Sequence, residues 1–183
     1  MLEKYLIEHC APTLAALTTA NLFTYRFGSE KALREQIRVW NEQLCGKGIQ
    51  LFLLRRQANT ALIYVCRKQK LQADLLQPGV ALFLRQYGYQ TTDADTALHI
   101  LTDRLENCAD FPHEIGIFLG YPLADVMGFI RNAGQNAKCT GCWKVYCNEC
   151  EAIRVFAKLK KCKAVYMRLY KEGKTVLQLT GAA

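Results

Sequence analysis

Two strand-like runs, 49–55 and 60–66, flank the short polar stretch Gln57-Ala58-Asn59 and predict a β-hairpin. Side chains of a strand alternate between two faces, so a strand serving one core is apolar only at every second position. Here successive positions are apolar, as in Leu51-Phe52-Leu53-Leu54 and Leu62-Ile63-Tyr64-Val65. Both faces must be kept from water, which places the hairpin centrally with cover on each side.

The rest of the sequence supplies that cover as helices. Residues 2–10 predict a short helix stopped near Pro12, and Leu22, Phe23, Tyr25 and Phe27 a strand bounded by Gly28. Ser29 can cap a helix in which Leu33, Ile37, Trp40 and Leu44 share one stripe, ended by Gly46 and Gly48. Helices are expected at about 69–76, from Pro78 to Gly88, and over 93–107 with Leu98, Leu101 and Leu105 inward. A short strand falls near 142–146. Asn148 then caps a helix with Ile153, Phe156 and Leu159 inward and Arg154, Lys158 and Lys161 in water. A further helix runs to about Lys171, with Gly173 as its cap, and a last turn covers 176–179. No repeat, low-complexity segment or linker interrupts the chain. The expectation is a single α+β domain over 1–183: a small mixed sheet (central hairpin 49–66 plus short strands near 21–27 and 142–146) covered by many helices.

Apolar residues are 51% of the chain and charged ones 22%, a globular rather than a disordered balance. No apolar run approaches the roughly 18 residues of a membrane-spanning helix, and the opening Met1-Leu2-Glu3-Lys4-Tyr5 lacks the layout of an export signal, so no membrane role and a cytoplasmic location are expected. The net charge of +8 is uneven: 138–174 holds ten Lys or Arg and three acids, whereas 93–125 holds seven acids and one Arg. The basic end could meet an acidic protein partner, although a solvated helix face is the preferred reading. Nucleic acid is disfavoured, because Phe156, Tyr166 and Tyr170 fit the core stripe rather than an exposed stacking surface.

Nine cysteines, an odd number, argue against a complete disulfide framework. Cys10, Cys45, Cys66, Cys108 and Cys162 are scattered and read as small buried hydrophobes. Cys139, Cys142, Cys147 and Cys150 form two Cys-x-x-Cys pairs separated by Trp143-Lys144-Val145-Tyr146. A zinc tetrathiolate needs sulfurs about 2.3 Å from the metal. Cys142-x4-Cys147-x2-Cys150 also matches an iron–sulfur spacing, with Cys139 or Cys162 as the fourth ligand. A third reading is redox work by Cys147 and Cys150 at a helix start, where the dipole lowers thiol pKa. The spacer decides. Extended at about 3.3 Å per residue, it sets Cys142 and Cys147 roughly 16 Å apart on opposite faces, beyond one ion. Buried or adventitious thiols are therefore preferred to zinc or an iron–sulfur cluster.

The run 113–130 reads as helix, glycine turn, helix, with Pro122 at a helix start and Gly134 near the second helix's end. Ile115, Leu119, Val126 and Phe129 fall where a helix-turn-helix DNA-binding regulator keeps its core. Its reading helix would offer Leu123, Ala124, Asp125, Met127 and Gly128 to the bases, however, and an acid there repels phosphate. A packing hairpin is preferred. Gly116, Gly120 and Gly128 each cost about 1 kcal/mol against alanine inside a helix, so close approach by another backbone or a flat ligand is expected. His113, Glu114, Gly116, Gly120, Tyr121 and Gly128 are the candidate ligand-binding residues, with capping and solvation as the competing role for His113 and Glu114.

The string 113–130, followed by Cys139-Thr-Gly-Cys-Trp-Lys-Val-Tyr, Lys160-Lys161-Cys162, Tyr166 and Leu177-Gln178-Leu179-Thr180, resembles a family of uncharacterised bacterial proteins, a domain of unknown function found mainly in anaerobic Gram-positive bacteria. The opening His9-Cys10-Ala11-Pro12-Thr13-Leu14-Ala15 fits as well, so the likeness spans nearly the whole chain. The resemblance implies membership and carries over no reaction, cofactor or catalytic residue. Cys139 and Cys162 suit the family's pattern, whereas cysteines at 147 and 150 depart from it. That departure shifts attention from the thiols to the hairpin.

No nucleophile–base pair, phosphate loop, dinucleotide fingerprint or paired-carboxylate motif is visible, so no catalytic residue is assigned. The expectation is a binding or accessory protein rather than an enzyme, with a ligand or partner near the hairpin 113–134 and a link to iron or redox physiology from its cysteine load.

Overall fold

A computed structural model describes residues 1–181. Its centre is a three-stranded sheet of β1 (Ala20–Arg26), β2 (Ile49–Gln57) and β3 (Thr60–Arg67) in the order β1-β3-β2. All its pairings are antiparallel, with Ile63 opposite both Phe23 and Leu53. The hairpin forms around Ala58, at φ 49°. Only β3 is central, because β1 takes its second edge, and β2 becomes an edge strand.

The apolar doublets of the hairpin serve two cores. Ala61, Ile63 and Val65 face a layer built on α1 (Leu2–Leu14) and α2 (Glu30–Leu44). Tyr64 and Cys66 face α3 (Lys68–Leu75), α4 (Val80–Arg85), α5 (Ala94–Asn107), α6 (Ile115–Phe118) and α7 (Leu123–Arg131). Period-2 alternation thus feeds a helical layer on each side of the sheet. The fold class is α+β, as expected.

The segment near 142–146 does not join that sheet. β4 (Cys139–Thr140) and β5 (Lys144–Val145) make a separate antiparallel ribbon that leads into α8 (Glu149–Lys171), followed by α9 (Val176–Leu179). The long helix is continuous where two helices were expected, since 150–171 contains neither Gly nor Pro to break it. Its buried stripe is Ala152, Leu159 and Cys162, and Ile153 is 51% exposed. Ile153 lies one residue off the stripe and turns to water, contrary to the sequence reading. α1 also outruns its expected stop: Pro12 sits in the last turn, where its missing N–H removes one helical bond, and its carbonyl accepts Leu17 N at 2.8 Å.

Arg67, 4% exposed at the end of β3, draws these layers together. It donates to the carbonyls of Thr13 at 2.8 Å, Leu14 at 2.9 Å, Lys47 at 3.1 Å and Gly181 at 3.1 Å. Among the described residues no helix is long and apolar enough to cross a membrane.

Candidate functional site

The α6–α7 hairpin is tighter than its sequence implies. α6 is a single four-residue turn, and Gly120 follows it at φ 79°. A Cβ on Gly120 would lie 2.7 Å from Thr19 Oγ1, so the turn needs glycine for both its conformation and its clearance. Thr19 in turn donates to the Asp74 carboxylate. The other two glycines of the hairpin are also tightly packed: a Cβ on Gly116 would meet Val126 at 2.7 Å, and one on Gly128 would meet the Tyr146 side chain at 2.5 Å. Close approach holds for all three, and in each case a side chain of the same protein makes it.

Asp125 carries the junction. The residue is 2% exposed, and its carboxylate accepts Trp143 Nε1 at 2.8 Å, Tyr146 N at 2.7 Å, Cys147 N at 2.9 Å and Cys147 Sγ at 3.0 Å. Burial works to raise its pKa, but the Cys147 thiol, the two amides and the indole together hold it below the ordinary carboxylate range. Asp125, the acid that argued against a DNA-reading helix, is the anchor of the ribbon. Trp143 then stacks on Tyr121 with centroids 5.0 Å apart and meets Phe156 edge-on at 4.6 Å. Tyr121 Oη donates to the Cys142 carbonyl at 3.3 Å.

The stacked Tyr121–Trp143 pair borders two cavities. On one side is a cleft of about 720 Å³ between the turn, the α1–β1 connection, α3 and the start of α8. His9, Lys70, Asp74 and Lys163 reach it, along with Gly120 and Tyr121. Burial lowers the His9 pKa, opposed by Glu8 and reinforced by Lys163. Burial raises that of Asp74, opposed by the Thr19 hydroxyl and Lys70. On the other side is a cavity of about 310 Å³ lined by His113, Gly116, Tyr121, Phe129, Trp143 and Lys144 among others.

Of the six sequence candidates, His113, Gly116, Gly120 and Tyr121 therefore line these spaces. Gly128 lies beneath Tyr146. Glu114 points away from both into the core: it is 1% exposed, accepts Arg104 Nε at 2.6 Å and Tyr89 Oη at 3.1 Å, and forms no pair with its neighbour His113. Sequence reasoning passed over Lys70, Asp74, Trp143 and Lys163, which no local motif connects; only the fold brings them to the cleft.

The four clustered thiols spread out along the ribbon. Cys139 lies in β4 opposite Val145, Cys142 at the tip, Cys147 beyond the base on Asp125, and Cys150 in the first turn of α8, exposed. Among the described residues no three His, Cys, Asp or Glu stand where they could hold one metal ion. The spacer contributes β5 to the antiparallel ribbon, which sets the two pairs at different places along it. Cys147 is also no activated thiol, since burial and the Asp125 carboxylate raise its pKa despite the helix start beside it.

As for DNA, α6 is one turn long, and α7 begins at the walls of the two cavities with Asp125 buried. That geometry adds nothing to the helix-turn-helix reading.

The family model described as "Protein of unknown function (DUF3793)" matches residues 6–180, and the chain belongs to that family. No curated protein and no solved structure matches it.

Proposed function

We propose that this member of an uncharacterised family is a binding protein whose ligand, a polar small molecule, occupies the cleft beside the Gly120–Tyr121 turn. The observation that carries the reading is the meeting of titratable side chains from three separate elements in one concave space, among them His9 of α1, Lys70 and Asp74 of α3, and Lys163 of α8. Its volume of about 720 Å³ falls within the ~300–1,000 Å³ of small-molecule sites. Charges of both signs on the walls suit a ligand with donors and acceptors, while the aromatic pair gives it a flat face.

The test uses native mass spectrometry of anaerobically prepared protein after incubation with a small-molecule cell extract. Ala73 is exposed on α3 and lines the cleft, so Ala73→Trp fills the space from a position that folding tolerates. A bound mass on the wild type that disappears in Ala73→Trp, with unchanged circular dichroism, supports the reading. A wild type that stays bare, or an adduct retained in Ala73→Trp, overturns it.

A further inference from the structure

We infer that the smaller cavity, on the other side of the Tyr121–Trp143 pair, is a second binding site, and that it takes a planar aromatic molecule bearing a single anionic group such as a carboxylate. The two spaces share the Tyr121–Trp143 wall, but this inference does not rest on a ligand in the cleft.

The shape and lining come first. The space is about 310 Å³, roughly ten times the ~30 Å³ share of one water molecule in the liquid. Its walls include the rings of His113, Tyr121, Phe129 and Trp143, with Ile115 and Val126 behind them. His113 and Phe129 hold each other at 4.9 Å between centroids. Water in such a space finds few hydrogen-bond partners, so an apolar occupant that displaces it is favoured. Rings in the wall offer faces and edges to another ring, which selects a flat ligand over a branched aliphatic one.

The charge of the ligand follows from what is free at the rim. Asp125 borders the cavity, but four donors already engage its carboxylate. It has little left for a cationic ligand. Lys144 is different: its ammonium has three donors, and its recorded hydrogen bond is to the Gly134 carbonyl at 2.6 Å. The same ammonium lies 5.9 Å from the centre of the Phe129 ring, where a cationic guest would otherwise be drawn by the ring face. Lys144 thus repels a cation and leaves donors for an anion, and the exposed Thr140 hydroxyl stands at the same cavity.

The experiment is isothermal titration calorimetry with 2-naphthoate, and with 2-naphthol as its uncharged counterpart. The wild type is expected to bind both with one-to-one stoichiometry. Lys144→Met should weaken 2-naphthoate about tenfold and leave 2-naphthol within about twofold. Thr140→Trp, placed at an exposed position on the ribbon, should abolish both. Ala73→Trp, which fills the neighbouring cleft, should change neither, so failure here and failure of the cleft reading are told apart. Absence of saturable 2-naphthoate binding, equal weakening of the two probes by Lys144→Met, or unchanged binding in a folded Thr140→Trp protein would each overturn the assignment.

Discussion

The thiol of Cys147 donates to the carboxylate of Asp125 at 3.0 Å, and that carboxylate also accepts the amides of Tyr146 and Cys147 and the indole of Trp143. One buried side chain of α7 therefore fixes the ribbon, the start of α8 and the aromatic wall between the two cavities. Asp125→Ala leaves these donors without an acceptor. These donors are only part-buried and water can replace some of the lost bonds, so a loss of about 1–3 kcal/mol is expected in urea unfolding. In a Trp40→Phe background the remaining indole, Trp143, should shift its emission to the red as the wall loosens. A loss below 1 kcal/mol with unchanged emission would show that the ribbon is held by other contacts.

Burial and the same bond together set the place of Cys147 in the order in which the cysteines react. Cys45, Cys108, Cys142 and Cys150 are exposed and should modify first with a disulfide reagent at pH 8. Cys147 is exposed too, but its raised pKa should make it lag. Cys10 and Cys66 should wait for unfolding, burial having pushed the Cys66 thiol up to about 12. Asp125→Asn removes the negative charge and should speed Cys147 relative to wild type, while the part of the lag that burial causes remains. Peptide mapping of labelled protein against time reads each site; a Cys147 as fast as Cys150 in the wild type would contradict the role given to Asp125.

Local periodicity made much of the fold legible. Leu98, Leu101 and Leu105 are buried on α5, as their spacing requires, and Leu33 and Leu44 on α2 likewise. The doubly apolar hairpin announced helical cover on both faces. What sequence did not carry was relative placement. The small turn of α8 that exposes Ile153 depends on how α8 seats against α1. Capping and solvation suited Glu114 at a helix start, but its carboxylate is buried against Arg104, ten residues earlier. The cleft joins α1, α3 and α8, so no window of sequence contains it.

Asp74 predicts a pH dependence. Burial raises its pKa above the ordinary carboxylate value, even though the Thr19 hydroxyl and Lys70 act to lower it. The folded state therefore binds the Asp74 proton more tightly than the unfolded chain does. Its contribution to stability is fully present below the unfolded pKa of about 3.9 and is lost as pH rises through the higher folded value. Asp74→Asn keeps an acceptor for Thr19 without the charge. The variant should gain stability over wild type at pH 7 and lose that advantage at pH 4, as read by calorimetric Tm. A variant less stable than wild type at pH 7 would mean that the charged Thr19–Asp74 hydrogen bond outweighs the cost of burial.

Asn41 guards the open edge of the sheet. Among the described residues β2 has no strand on its outer side, and an unpaired edge invites another chain. On that side Leu51 N donates to Asn41 Oδ1 at 2.7 Å, and Asn41 Nδ2 donates to the Leu51 carbonyl at 3.0 Å. The side-chain amide thus completes the pattern that a neighbouring strand would supply. Asn41→Ala should cost about 1–3 kcal/mol in urea unfolding, since a part-buried amide and carbonyl lose their partners together. It should also create a concentration-dependent dimer or larger species in light scattering at neutral pH, because the vacated groups can pair across copies. Asn41→Asp separates the two effects: it keeps the acceptor for Leu51 N but offers no donor to the carbonyl, and its charge repels a second copy. That variant is expected to be destabilised yet monomeric. Asn41→Ala protein that remains monomeric at high concentration would show that α2, rather than this one amide, shields the edge.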